Sequence, residues 1–337
     1  MNGGLLLSTF NTTAPEWSLK WRLWGTTTSI SRHRYNHNVK SLSSSSEAGV
    51  NGELRRALLE QLDKELNKGD DRAALSLVKD LQSKPGGLRC FGAAQQVPQR
   101  LYSLNELKLN GIETSALLSP KDNTLGTIER NLQIAALLGF ISAWNLFDLG
   151  PEELLYFSLG IFFLWTLDSV AFAGGFSSLV LDTIGHNISQ KYHNRVIQHE
   201  AGHFLIAYLL GILPKGYTLS NFEFTEEISA GRVSAKMLNR FSCIALAGVA
   251  TEYLLYGYAE GGLSDVNTLD KLLNSLGFTQ KKADSQVRWA VLNTILILRR
   301  HERARTHLAN AMSAGKSVGS CIDVIEKNID EIDLMIS

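Results

Sequence analysis

The sequence predicts a mainly α-helical protein with a membrane-attached middle and a metal-binding C-terminal part. Three stretches carry that expectation. ELRRALLEQLDKELNKG and DRAALSLVKDLQS, between residues 51 and 83, repeat apolar residues at helical spacing. From 132 to 181 the chain holds two long apolar runs whose lengths suit membrane helices. RVIQHEAGHFLIAYLLGI, residues 195–212, sets two histidines and a glutamate into an almost wholly apolar run.

The 337 residues suffice for one large or two ordinary domains. The 33 basic and 33 acidic residues cancel, and no dense basic cluster occurs, so no nucleic-acid partner is expected. Cys90, Cys243 and Cys321 are odd in number and far apart, forming neither CxxC nor a disulfide framework. A reducing compartment follows as the expectation.

Residues 1–45 contain one acid, Glu16, among many Ser and Thr, with Lys20, Arg22, Arg32, Arg34 and Lys40 supplying positive charge. This is transit-peptide composition, and the scarcity of charge before Lys20 favours a plastid over a mitochondrion. The expected location is therefore the chloroplast, at the thylakoid or envelope membrane.

Residues 46–125 are expected to form a soluble helical region. Its first helix ends at Gly69 and its second before Lys84-Pro85-Gly86-Gly87, where turn residues accumulate. Residues 126–185 are read as a membrane hairpin. LQIAALLGFISAWNLF (132–147) lacks charge for 16 residues, and the 28-residue run 154–181 is interrupted only by Asp168. A span needs about 17–25 apolar residues, so the second run suffices and the first is slightly short. An acid inside the bilayer demands a partner.

Residues 186–337 hold the chemistry. In a helix, His199 and His203 lie one turn apart on one face, where both imidazoles reach one cation. Glu200 projects beside that cation, placed to take a proton from water; this is the physical content of HExxH. Gly202 inside the motif lets another element approach the helix closely. The metzincin form is excluded, because Ile206 and Leu209 stand where it needs Gly and His. A third protein ligand is still required. Downstream, Glu252 in an apolar helix and Asp265 in a glycine-rich loop are both available.

HEAGH, LAGVATE and GYAEGGLSD, in that order, resemble the zinc peptidase domain of the FtsH family of membrane-bound ATP-dependent proteases. The likeness runs over roughly residues 190–313, with ADSQVRWAVLNTILILRRHERARTHLANAM resembling the long closing helix of that domain. It implies a zincin-like helical peptidase fold and a bound Zn2+. His199, His203 and Asp265 become the metal ligands, Glu200 the catalytic base, and Glu252 a carboxylate supporting a ligand. Val249 stands where the family motif has arginine, and residues 213–234 are short where the family has an edge strand for substrate. The family's ATPase has no counterpart. NAMSAGKS (310–317) puts Asn310 where a Walker A motif requires glycine, so no ATP binding by this chain is expected. The whole chain resembles plastid-targeted plant proteins that keep the peptidase domain alone.

The function so implied is a membrane-anchored zinc metalloendopeptidase acting on unfolded or short polypeptides. The alternative is a non-proteolytic zinc-binding scaffold that assembles with FtsH-type ATPase-bearing subunits. An intramembrane protease of the site-2 type is disfavoured, since Asp265 lies in polar, glycine-rich sequence rather than an apolar helix.

Overall fold

The computed structural model describes residues 46–82, 84, 86–147, 150–171, 175–215 and 233–330. The expected transit peptide lies outside these residues, as does most of the 213–234 segment. Every regular element among the described residues is an α-helix, in keeping with the mainly helical class.

Helix α1 (Ser46–Lys68) stops where Gly69 takes φ +78°, a left-handed conformation that costs little only for glycine. Helix α2 (Asp71–Gln82) folds back on it, burying Leu59 and Leu62 against Ala74, Val78 and Leu81. The same α1 packs along the last described helix, α14 (Val318–Asn328), where Arg55 Nη2 donates to Asp323 Oδ1 at 2.8 Å. The N-terminal helices thus share one hydrophobic core with the C-terminal part. Two short helices, α3 (Leu104–Leu109) and α4 (Thr114–Leu118), close further faces of that core.

Next come α5 (Asn123–Phe147), α6 (Pro151–Ala171) and α7 (Gly175–Ile188). Phe140 and Phe157 stack between α5 and α6 with ring centroids 5.9 Å apart. Leu137, Leu138, Phe162, Phe163 and Trp165 stand exposed on these helices. At 1.5 Å per residue, α6 is about 31 Å long. It is the one helix among the described residues long and apolar enough to cross a membrane.

The run 154–181, read from sequence as a single span, is divided. Helix α6 ends at Ala171 and α7 begins at Gly175. Asp168 Oδ2 accepts from the backbone N–H of Ser177 at 3.1 Å and from the Ser177 hydroxyl, a contact across nine residues that one continuous helix would hold about 13 Å apart. An anion there satisfies an orphan donor of the first turn of α7 and favours a new helix start. It also gives the buried acid the partner its setting demands.

Helix α8 (Gln190–Leu209) is the central element, buried continuously from His199 onward and packed against α10 (Ala247–Tyr256) and α13 (Glu302–Ser313). Around it lie α9 (Ala235–Ala245), α11 (Leu263–Ser275) and α12 (Gln280–Arg300). The closing helix expected over residues 283–312 is broken as well. His301, at φ −109° and ψ 33°, separates α12 from α13 and lets α13 turn back along α8.

Candidate metal centre

Helix α8 is started by Ser189, whose hydroxyl accepts from the N–H of Tyr192 at 3.2 Å, a cap geometry that favours this residue type. Ten residues on, His199 and His203 face the same side, their rings 4.8 Å apart at 60°. Each ring is held by its Nδ1. For His203 the partner is the carbonyl of Ile244 at 2.8 Å; for His199 it is Glu252 Oε1 at 2.7 Å. Both partners accept, so each Nδ1 carries a hydrogen, and in the neutral ring the lone pair sits on Nε2.

The two Nε2 atoms are 3.0 Å apart, and Asp265 Oδ2 lies 3.1 Å from that of His199 and 3.3 Å from that of His203. Three donor atoms thus converge from two helices, and the buried group could hold a metal ion. Asp265 lies in the first turn of α11 rather than in a loop. Gly262, at φ +83°, makes the turn that delivers it.

Close backbone approach shapes the surroundings. A Cβ on Gly202 would fall 2.1 Å from Thr251 Oγ1 and 2.8 Å from the Ala247 carbonyl, so the glycine in the motif is where α10 crosses α8. Gly248 on α10 lies against the His199 imidazole in the same way. Val249 is fully buried and packs toward Gly262.

Burial of the cluster penalises charge, but the internal hydrogen bonds outweigh it. Burial alone would lower the His199 pKa, yet bonds to Asp265 and Glu252 hold it well above the ordinary histidine value. Burial alone would raise Asp265, yet His199 and His203 keep it below the usual carboxylate range. For Glu252, burial is likewise overcome by His199 and Arg195, leaving its pKa lowered to about 2. Glu200, next to His199 on α8, is 9% exposed, against 7% for His199, 2% for His203 and 8% for Asp265. The centre is therefore nearly closed. An open surface cavity of about 430 Å3 lies elsewhere, lined by Gln99, Asn239, Phe278 and Lys282 among others, and includes no residue of this cluster.

Sequence reasoning missed Arg195. It is 4% exposed, and its Nε donates to Glu252 Oε2 at 2.6 Å, its Nη2 to the Tyr258 carbonyl at 3.0 Å. Its Nη1 pairs with Glu260 Oε1 at 3.2 Å. The signal was present: an arginine one turn before His199, in a helix this apolar, requires a buried acid.

The chain matches no protein-family model, and neither a curated protein nor a solved structure shows significant similarity to it.

Proposed function

We propose that this chain is a membrane-anchored zinc metalloendopeptidase of the FtsH type, acting in plastid proteolysis. The observation that carries the reading is the triangle of His199 Nε2, His203 Nε2 and Asp265 Oδ2, with sides of 3.0 to 3.3 Å. Zinc bonds of about 2.0–2.2 Å in tetrahedral geometry ask for ligand separations of roughly 3.3–3.5 Å. The donor set therefore suits zinc after slight expansion. Two imidazoles and one carboxylate also leave a fourth position, the pattern of catalytic rather than structural zinc.

When bound, zinc supplies Lewis acidity, polarising a peptide carbonyl and lowering the pKa of water. The residues of the chain do the rest. Glu200 takes the proton of the attacking water and returns it to the leaving amine. Glu252 and the Ile244 carbonyl hold both rings by Nδ1, so that Nε2 is the nitrogen left to the metal. The apolar, exposed α5 and α6 supply membrane attachment, in the thylakoid or the envelope. Substrates are unfolded or short polypeptides, with folded ones needing separate FtsH-type ATPase-bearing subunits. Glu200→Gln should keep the metal and lower cleavage of an unfolded polypeptide by about 10²–10⁴-fold. A fully active variant overturns the mechanism.

The near closure of the centre favours a second reading, a metal-bearing scaffold that docks onto FtsH-type complexes. On that reading the unaltered chain and Glu200→Gln are equally inert toward polypeptides, while metal removal unfolds both.

A further inference from the structure

Arg195 and His199 lie one turn apart on α8, and both grip the same carboxylate on α10. Glu252 Oε1 meets His199 Nδ1 at 2.7 Å, and Oε2 accepts from Arg195 Nε at 2.6 Å and from the N–H of Glu260 at 2.8 Å. Glu252 is 1% exposed, and the N–H of Gly261 lies 3.2 Å from each of its oxygens. Which oxygen faces the imidazole is decided by what holds the other. The remaining arms of the guanidinium reach the Tyr258 carbonyl and Glu260, in the 257–262 turn that leads to Asp265. Glu260 in turn accepts from the N–H of Thr124 at 3.3 Å, at the start of α5. One buried side chain thus braces the supports of two of the three donors.

We propose that Arg195 is a positioning residue of the metal centre, locking the Glu252 carboxylate so that it fixes the His199 ring with Nε2 toward the metal position. The inference rests on the metal reading of His199, His203 and Asp265. Arg195 itself touches no donor atom of that set and acts through Glu252. A lysine cannot replace it fully, since an ammonium does not span Glu252, Glu260 and a carbonyl in fixed geometry.

The test uses the full chain in detergent micelles, with Co2+ as probe. Its affinity is measured by chelator competition and its visible ligand-field band reports coordination. Arg195→Met should weaken Co2+ binding by about 10–100-fold and change the band, and Arg195→Lys should fall between it and the unaltered chain. In a Glu252→Gln background the Arg195→Met change should cost less than about twofold more, because both act on one contact. A purely structural arginine would lower the melting temperature of the metal-free chain and leave Co2+ affinity and band unmoved; that outcome overturns the proposal, as do additive effects in the double variant. If Arg195→Met does not fold, Arg195→Lys carries the same cycle. Absence of Co2+ binding by the unaltered chain overturns the metal reading and this inference together. Normal binding with indifferent variants overturns the inference alone.

Discussion

Gly248 and His199 are in contact at a distance no side chain tolerates: a Cβ on Gly248 would lie 2.1 Å from Nε2 of the imidazole. The glycine in LAGVATE is thus the surface on which a candidate ligand rests. Gly248→Ala should displace the ring, reduce metal affinity at least about tenfold, and destabilise the metal-free fold by about 1–3 kcal/mol. Metal content after dialysis and thermal unfolding read the two effects separately.

The crossing of α8 and α10 makes a second prediction. Gly202→Ala should cost about 1–3 kcal/mol through overpacking, seen in denaturant unfolding. Adding Thr251→Ala removes the nearer clash but leaves the Ala247 carbonyl 2.8 Å from the new methyl. The double variant should therefore regain part of the loss and not all of it.

The pH dependence of the metal-free chain follows from the internal hydrogen bonds. Glu252 and Asp265 have depressed pKa values in the fold. Their contribution is present above the unfolded carboxylate range, near pH 4, and is lost as pH falls toward 2; for Glu252 it is on the order of 3 kcal/mol. His199 is shifted upward. Its contribution is complete below about pH 6.5 and is lost as pH rises through the folded-state value. Metal-free stability should peak between about pH 4.5 and 6.5. Metal binding needs neutral imidazoles and releases protons, so loading should abolish the alkaline decline. Melting temperatures across pH, with and without metal, check both limbs; an unchanged alkaline limb on loading contradicts the account.

Metal removal should be felt by the whole domain. Metal at 100 times its Kd adds about 2.7 kcal/mol to stability, and Asp265→Ala should eliminate most of that gain. The comparison is of unfolding midpoints with and without added Zn2+.

For α6, the prediction concerns lipid. Leu159 and Phe163 lie one turn apart and are 54% and 64% exposed. Replacing either by Arg at mid-membrane should disfavour insertion by about 2.5–3.5 kcal/mol. The unaltered chain should resist alkaline carbonate extraction and the double Arg variant should not.

Much of the local structure was legible because it depends on neighbours within a turn. The glycine stop at Gly69 and the one-turn spacing of His199 and His203 are of this kind. The breaks inside 154–181 and at His301 were not. Each depends on a partner that periodicity does not reveal: the Ser177 N–H for Asp168, and the packing of α13 against α8 for His301.

The sequence by itself determined that two imidazoles share a helix face with a glutamate beside them, and that Glu252 and Asp265 were the acids at hand. Only the tertiary structure decided their positions. Glu252, 53 residues from His199, faces Nδ1, while Asp265, 66 residues away, faces Nε2. The physical reason is that helical spacing acts over one turn. Convergence across tens of residues is set by where a missing side chain admits a neighbour, the α10 backbone at Gly202 and the His199 ring at Gly248 and Gly262, and by the buried arginine that neutralises the acids drawn in behind them.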